Sequence, residues 1–498
     1  MSELRINMLS PEEARRPGDL ELLPVFEDAE PGFSGEAEAV LKELMAAGRF
    51  RPAAGKQYAT LIREYHRYQR VLFVGLGKKE ELTPEAWGLA VARGVREAAA
   101  SRLDSLDIRL PDVSSSQDCA RETGRALVLA GYRFRRFLSE DPEDPSVELS
   151  RVQVLGEVSE EALLALDDGR QLGETQAWVR DLVNQPANRQ SPEDLAQLVR
   201  DLGRQTGLET EVLEEEKIRR LGMEAFLAVA QASHRRPVFL VLRYQGDPER
   251  PERRLGVAGK AILYDTGGLS LKPTDSMITM KSDMAGGAAA LGFMKLLASS
   301  GLKLNVSCVL AVCDNHLASS DYRPGDIVGS MGGKSIFVAN TDAEGRLTLA
   351  DAVCYLKDVE KADRILDIAT LTGAAEVALG TTVAAGIATD DGFWELTERA
   401  AKTAGEKLWR LPIFPEHREA IKSEVADLTN SGGRYGGAIT AGLFVAAFAG
   451  DVPFVHLDIA GPSWTEKPEA TQEKGATGYG TATLYTLAAL LAEEGHGS

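Results

Sequence analysis

Gly259-Lys260-Ala-Ile-Leu-Tyr-Asp265-Thr-Gly-Gly-Leu-Ser-Leu-Lys272-Pro273 sets an apolar run against a pair of glycines, with an acid between them. The run 254–264 reads as one buried strand that Gly267-Gly268 ends, which puts Asp265 at a strand terminus facing a cleft. Met280-Lys-Ser-Asp283-Met follows, and Asp283 opens a small-residue helix over 284–299. Further on, Asn340-Thr-Asp342-Ala-Glu344-Gly-Arg346-Leu places Asp342 and Glu344 in the turn between a short strand at 335–339 and a helix starting near Arg346. Four carboxylates thus fall at strand-to-helix turns, where open α/β sheets place their ligands.

Outward from this window, strands near 210 and at 237–244, 304–312, 365–370 and 453–458 alternate with helices over 346–358, 391–404, 438–449 and 481–494. Such alternation implies a mostly parallel sheet covered by helices on both faces. Ser191-Pro192-Glu193-Asp194 is a helix start with acidic first-turn residues. Ahead of it, 160–183 carries helical apolar spacing and stops at Asn184-Gln-Pro186. Residues 1–160 hold strand signals at 70–75, 105–110 and 151–155, an Ala-rich helix opened by Thr83-Pro84-Glu85, and a Pro-broken loop at Asp141–Pro145. At 498 residues the chain exceeds what one hydrophobic core serves. The expected organisation is α/β throughout: a smaller N-terminal domain at 1–160, a linking helix at 161–183 and a larger C-terminal domain at 184–498.

A net charge of −19 argues against coating nucleic acid or anionic membranes, which needs clustered Lys and Arg. The N-terminus has no apolar signal region and no run approaches about 18 uninterrupted apolar residues, so a cytoplasmic chain is expected. Four Cys make no disulfide framework at this length. Cys308 and Cys313, five apart on one strand, point to opposite faces and read as buried thiols. Two glycine-rich stretches imitate phosphate loops. Gly75-Leu-Gly-Lys78 lacks a further glycine, and Gly329-Ser-Met-Gly-Gly-Lys334-Ser335 follows Val328 and precedes a strand, so both read as turns. The six His show no metal-binding spacing, and His456, in an apolar strand, reads as a core residue.

If the acidic turns converge, each pair of charges about 4 Å apart costs about 4 kcal/mol at an effective dielectric near 20. Lys260, Lys272 and Arg346 offset part of this. Hard oxygen donors without Cys or His nearby more naturally hold divalent cations, and two of them would balance the four carboxylates. The lysine and arginine charge then suits a hydroxide, a small anion or a developing oxyanion.

The stretches GKAILYDTGGLSLKP, MKSDM and NTDAEGR closely resemble the signature of the leucyl aminopeptidase family, the di-metal peptidases often called cytosol aminopeptidases. The likeness continues through Leu182–Asn188, Asp367–Gly373, Gly432–Thr440 and His456–Gly461, over roughly residues 175–490. It implies a zinc-exopeptidase-like catalytic domain, an N-terminal domain that helps assembly, and a homohexamer acting on peptides. The family's ligand positions fall on Lys260, Asp265, Asp283 and Glu344 for one ion, and on Asp265, Asp342 and Glu344 for the other. The backbone carbonyl of Asp342 completes the second position. Mn or Zn are the leading ions, and a neutral Lys260 ligand would require a lowered pKa.

By the same resemblance, a hydroxide bridging the ions attacks the peptide carbonyl, Lys272 hydrogen-bonds the oxyanion, and Arg346 anchors a bicarbonate that serves as general base. The substrate's free amino group docks on the ion of Lys260 and Asp283. Met280, Thr370 and Gly373 match the wall of a pocket for Leu- or Met-like side chains. Backbone groups of Leu371 and Gly373 hold the peptide, and 432–437 forms a loop over the cleft. Two departures bear on substrate range: Asp314-Asn315-His316-Leu317 stands where the family reads Glu-Asn-Met-Pro, and Met-Ala-Gly-Gly follows Asp283. Another two-metal hydrolase, or a non-catalytic or DNA-binding relative, are the alternatives. The intact set of charged positions and the acidic balance speak against the latter.

Overall fold

Contacts divide the chain into two compact units, Met1–Ala177 with Lys467–Glu473, and Trp178–Glu466 with Lys474–Ser498. The computed structural model describes residues 5–494 except 12, 14–16, 65–66 and 140–148, so the expected loop at Asp141–Pro145 lies outside the described residues.

The first unit is built on a six-stranded sheet in the order Arg5–Leu9, Arg151–Leu155, Ser105–Arg109, Leu20–Val25, Arg67–Gly75, Gln57–Glu64. All neighbours are parallel except the last pair, which is antiparallel at the edge. Helix Pro84–Ala100 starts where Thr83 accepts from the Ala86 N–H and proline takes the first turn. With helix Ser116–Gly131 it buries Leu22, Leu72, Ile108 and Val154 from the sheet. Helix Glu36–Ala46 packs among Leu23, Val71 and Phe73 in a separate cluster.

In the second unit, a nine-stranded sheet runs Leu408–Arg410, Ala384–Ala388, Phe454–Asp458, Arg364–Ala369, Arg254–Gly259, Asn305–Asn315, Val238–Gln245, Glu209–Glu214, with Ala261–Asp265 also paired to Asn305–Asn315. Its centre is parallel, as the alternation predicts. Antiparallel pairings appear on either side of that centre. Two apolar clusters share the buried residues of the sheet, one including Cys308 and the other Cys313, so the two thiols face opposite ways. Every cysteine is free and buried. The capping box at Ser191 and Asp194 opens helix Pro192–Thr206, as its sequence signals.

Two expected strands differ in detail. The run 254–264 is not one strand but two, Arg254–Gly259 and Ala261–Asp265, interrupted at Lys260. There the Lys260 N–H bonds the Ile368 carbonyl (3.0 Å), while its own carbonyl accepts from Gly287 (2.7 Å). The second piece then follows Asn305–Asn315 with a shift in register. Continuous apolar composition hides such a break, because both pieces are buried. The short strand at 335–339 shrinks to Ile336–Phe337, paired antiparallel to Ile327–Val328, so Gly329–Ser335 closes a hairpin.

Helix Ala285–Ser300 lies close on this sheet because its first turn has almost no side chains. A Cβ on Gly286 would collide with the Ile368 carbonyl, and one on Gly287 would sit 2.9 Å from a Leu310 methyl. That close approach fixes Asp283, just before the helix, against the broken strand. Among the described residues no helix is long and apolar enough to cross a membrane.

Candidate active site

The acidic turns converge at the end of the parallel strands. Asp265 closes the strand Ala261–Asp265, Asp283 follows the short 3-10 turn Met280–Ser282, and Asp342 and Glu344 lead into helix Gly345–Asp358. Carboxylate oxygens of Asp265, Asp342 and Glu344 all lie within 4.8 Å of one another. Asp283 joins through Lys260, whose Nζ is 2.7 Å from Asp283 Oδ1 and 2.8 Å from Glu344 Oε1. Lys272 reaches the other side, 2.9 Å from Asp265 and 2.5 Å from Asp342.

Lys260, Asp265, Asp283 and Glu344 are each no more than 5% exposed. Burial favours the neutral form of an acid, and crowding of like charges adds to it. Burial and the Glu344 charge push Asp265 up to about 6. Burial likewise holds Asp283 well above, and Asp342 above, the usual carboxylate range, against the pull of Lys260 and Lys272 respectively. Glu344 goes the other way: its burial is outweighed by Lys260 and Lys272, which keep it ionised below its ordinary value. Burial opposes the charge on both lysines too, yet Asp283 with Glu344 raises Lys260, and Asp265 with Glu344 and Asp342 raises Lys272. Beside these carboxylates, then, Lys260 is an ammonium rather than the lowered amine that ligation requires. To coordinate an ion it must give up that proton when the ion enters.

The donor set fits two divalent cations. Two lysine charges stand against four carboxylates, leaving an excess of negative charge in a buried place. Asp283 Oδ2 and Glu344 Oε2 are buried without a hydrogen-bond partner among the described residues. Unsatisfied carboxylate oxygens at such depth are expensive unless a cation takes them up.

The remaining predicted residues lie around this centre. Thr370 gives its carbonyl to Lys260 Nζ (2.9 Å) and its hydroxyl to Asp283 Oδ1 (2.9 Å). Half-buried Met280 begins the turn that ends at Asp283, and Leu371 and Gly373 continue from Thr370 into helix Gly373–Leu379. Arg346 is not ion-paired within the cluster. Its guanidinium donates to the Asn430 carbonyl, its Nε has no hydrogen-bond partner among the described residues, and burial lowers it to about 10. The segment 432–436 leads into helix Gly437–Ala449 and exposes Tyr435 at 89%.

Two asparagines hold the acids in place in a way the sequence does not signal. Asn315 donates to Asp265 Oδ1 (2.7 Å) and to the Thr341 carbonyl (3.1 Å), so it orients one acid against the turn that carries Asp342 and Glu344. Asn430 is fully buried and clasps that turn, its Oδ1 accepting from Ala339 and Asn340 and its Nδ2 donating to the Asn340 carbonyl. Neither has a periodic signal. His456, read as a core residue, is completely buried with Nδ1 2.7 Å from Asp367.

The same residues place the chain among known proteins. The profile described as cytosol aminopeptidase family, catalytic domain, matches residues 177–485, and that of the family's N-terminal domain matches 22–141. A probable cytosol aminopeptidase of Clostridium perfringens is 40% identical over 474 residues, covering 94% of this chain and 96% of the relative. One from Nostoc punctiforme is 40% identical over 483 residues, covering 94% and 95%. Among solved structures, a variant of tomato leucine aminopeptidase superposes with a TM-score of 0.86 at 30% identity, covering 98% of this chain and 97% of the other. The bottromycin maturation enzyme BotP in complex with Mn gives 0.85 at 31%, covering 96% and 100%. The chain belongs to the cytosol aminopeptidase family, whose members are metal-dependent exopeptidases.

Proposed function

We propose that this chain removes N-terminal residues, preferably Leu- or Met-like, from peptides, with two divalent cations held by Lys260, Asp265, Asp283, Asp342 and Glu344. The observation that carries the reading is the buried convergence of four carboxylates with unpartnered oxygens on Asp283 and Glu344. Mn or Zn at these positions would supply Lewis acidity and a water of lowered pKa. The substrate's free amino group, in its neutral form, would dock on the ion held by Lys260 and Asp283, which accounts for action at N-termini. Lys272 stays protonated beside Asp265 and Asp342 and is placed to donate to oxygen charge developing on a peptide carbonyl. The unpartnered, buried Nε of Arg346 supports a small anion there, such as bicarbonate, able to accept a proton. Met280, Thr370, Leu371 and Gly373 would wall the side-chain pocket and hold the peptide backbone. Operation in the cytoplasm as a homohexamer completes the proposal.

The test uses three chromogenic compounds after loading with Mn: leucyl-p-nitroanilide, its N-acetyl form, and p-nitrophenyl phosphate. Release of p-nitroaniline from the first alone is expected. Equal turnover of the acetylated compound would overturn the amino-terminal requirement, and phosphate-ester hydrolysis in its place would make the chain a different hydrolase.

A further inference from the structure

We infer that Asp458 is a positioning residue for the segment Thr370–Gly373, and that it sets substrate selectivity from behind the pocket. The inference rests on the peptidase reading above. Strand Phe454–Asp458 runs parallel beside Arg364–Ala369, with Asp458 opposite Ala369, so the acid ends its strand where the neighbouring chain enters the segment. It is fully buried. Oδ1 accepts from the backbone N–H groups of Leu371 (3.1 Å), Thr372 (3.4 Å) and Ala460 (3.2 Å), and Oδ2 accepts from the Thr372 hydroxyl (2.6 Å).

Only a carboxylate offers acceptors at both oxygens to that many donors. The Thr372 hydroxyl in turn accepts from the Ala375 N–H (3.1 Å), so the same contact caps the helix that follows. On the opposite side, Thr370 is bonded to Lys260 and Asp283. Three consecutive residues are therefore pinned between the acidic centre in front and Asp458 behind. Leu371, one of the proposed peptide-holding positions, cannot shift without breaking its bond to Asp458, and Gly373, the other, follows directly from the anchored Thr372. A sequence reading sees only an acid at the end of an apolar strand.

Three variants test this: Thr372→Val, which deletes the 2.6 Å bond at nearly constant size, Thr372→Ser, which keeps the hydroxyl, and Asp458→Asn. Each is followed by kcat and KM on leucyl- and alanyl-p-nitroanilide and by amide hydrogen exchange over 370–376. T372V and D458N should lower kcat/KM on the leucyl compound at least about tenfold, mainly through KM, while preference for leucyl over alanyl falls at least about threefold. Exchange over 370–376 should speed up about tenfold, and T372S should stay within about threefold of the parent throughout. Unchanged exchange in T372V overturns the inference. So does an equal loss on both substrates with T372S as impaired as T372V, since that pattern marks general destabilisation. If D458N does not fold, the two threonine variants decide. If the unmutated enzyme hydrolyses neither anilide, the peptidase reading falls, and exchange alone decides whether Asp458 holds the segment.

Discussion

Replacing Gly345 with alanine should disable the site through Lys260 while leaving the fold in place. A Cβ at 345 would fall 2.8 Å from both Cδ and Nζ of Lys260 and closer still to Cε. Ordinary carbon contacts lie near 3.5–4.0 Å, so the lysine must retreat by about 1 Å. At 3% exposure it has no route to solvent, and its Nζ is fixed within 2.9 Å of Asp283, Glu344 and the Thr370 carbonyl. A displacement of about 1 Å at a reacting centre costs about 10²-fold in rate. Helix propensity works the other way, since alanine in place of glycine gains up to about 1 kcal/mol. We therefore expect kcat/KM on leucyl-p-nitroanilide to fall about a hundredfold at saturating Mn while Tm drops by no more than about 5 °C. Lys260→Ala and the double variant complete a cycle in which adding G345A to K260A should cost almost nothing. Activity of G345A within threefold of the parent would refute the steric argument, as would fully multiplicative losses.

Three further outcomes follow from the same geometry. Lys272→Met removes the ammonium between Asp265 and Asp342, so kcat should fall about 10²–10³-fold while bound Mn, read by mass spectrometry, stays at two ions per chain; an unchanged kcat would remove Lys272 from the reaction. Burial pushes Asp351 up to about 7 although it accepts from Phe226 and Met331 N–H groups. Its folded value exceeds the unfolded value of about 3.9, so its contribution to stability is complete below about pH 4 and is lost as pH rises through 7, by at most about 4 kcal/mol. Asp351→Asn should therefore flatten the decline in stability between about pH 4 and 7 in urea titrations, and an unaltered slope would contradict this. Finally, none of the buried thiols Cys119, Cys308, Cys313 and Cys354 should react with an aromatic disulfide reagent until denaturant unfolds the chain, since burial also raises each of them. Rapid reaction of any one in native buffer would show that its core opens.

The acidic cluster was legible because acids at strand-to-helix turns are costly and therefore informative, while the assignment of its members as ligands came from the family resemblance alone. Asp265, Asp283, Asp342 and Glu344 each interrupt an apolar pattern at a turn, and their meeting needed only the strand-end rule of α/β sheets. Their supports were not legible. Asn430 comes from a loop far along the chain, and its value lies in paired donor and acceptor geometry that one letter does not encode. The break at Lys260 was hidden for a related reason: the lysine is held by a backbone bond to Ile368, a partner more than a hundred residues away. Nor could local pattern assign Lys467–Glu473 to the first unit, where Glu473 pairs with Arg96 at 2.8 Å. His456 illustrates the opposite case, since an apolar strand pattern sufficed to read it as core, although its partner Asp367 emerges only from the strand register.

Anomalous diffraction from a Mn-soaked crystal, recorded on both sides of the Mn absorption edge, tests the central claim most directly. Two peaks are predicted within one subunit, both flanked by Asp265 and Glu344, one reaching Lys260 and Asp283 and the other Asp342. A single peak, or none among these side chains at saturating Mn, would contradict it.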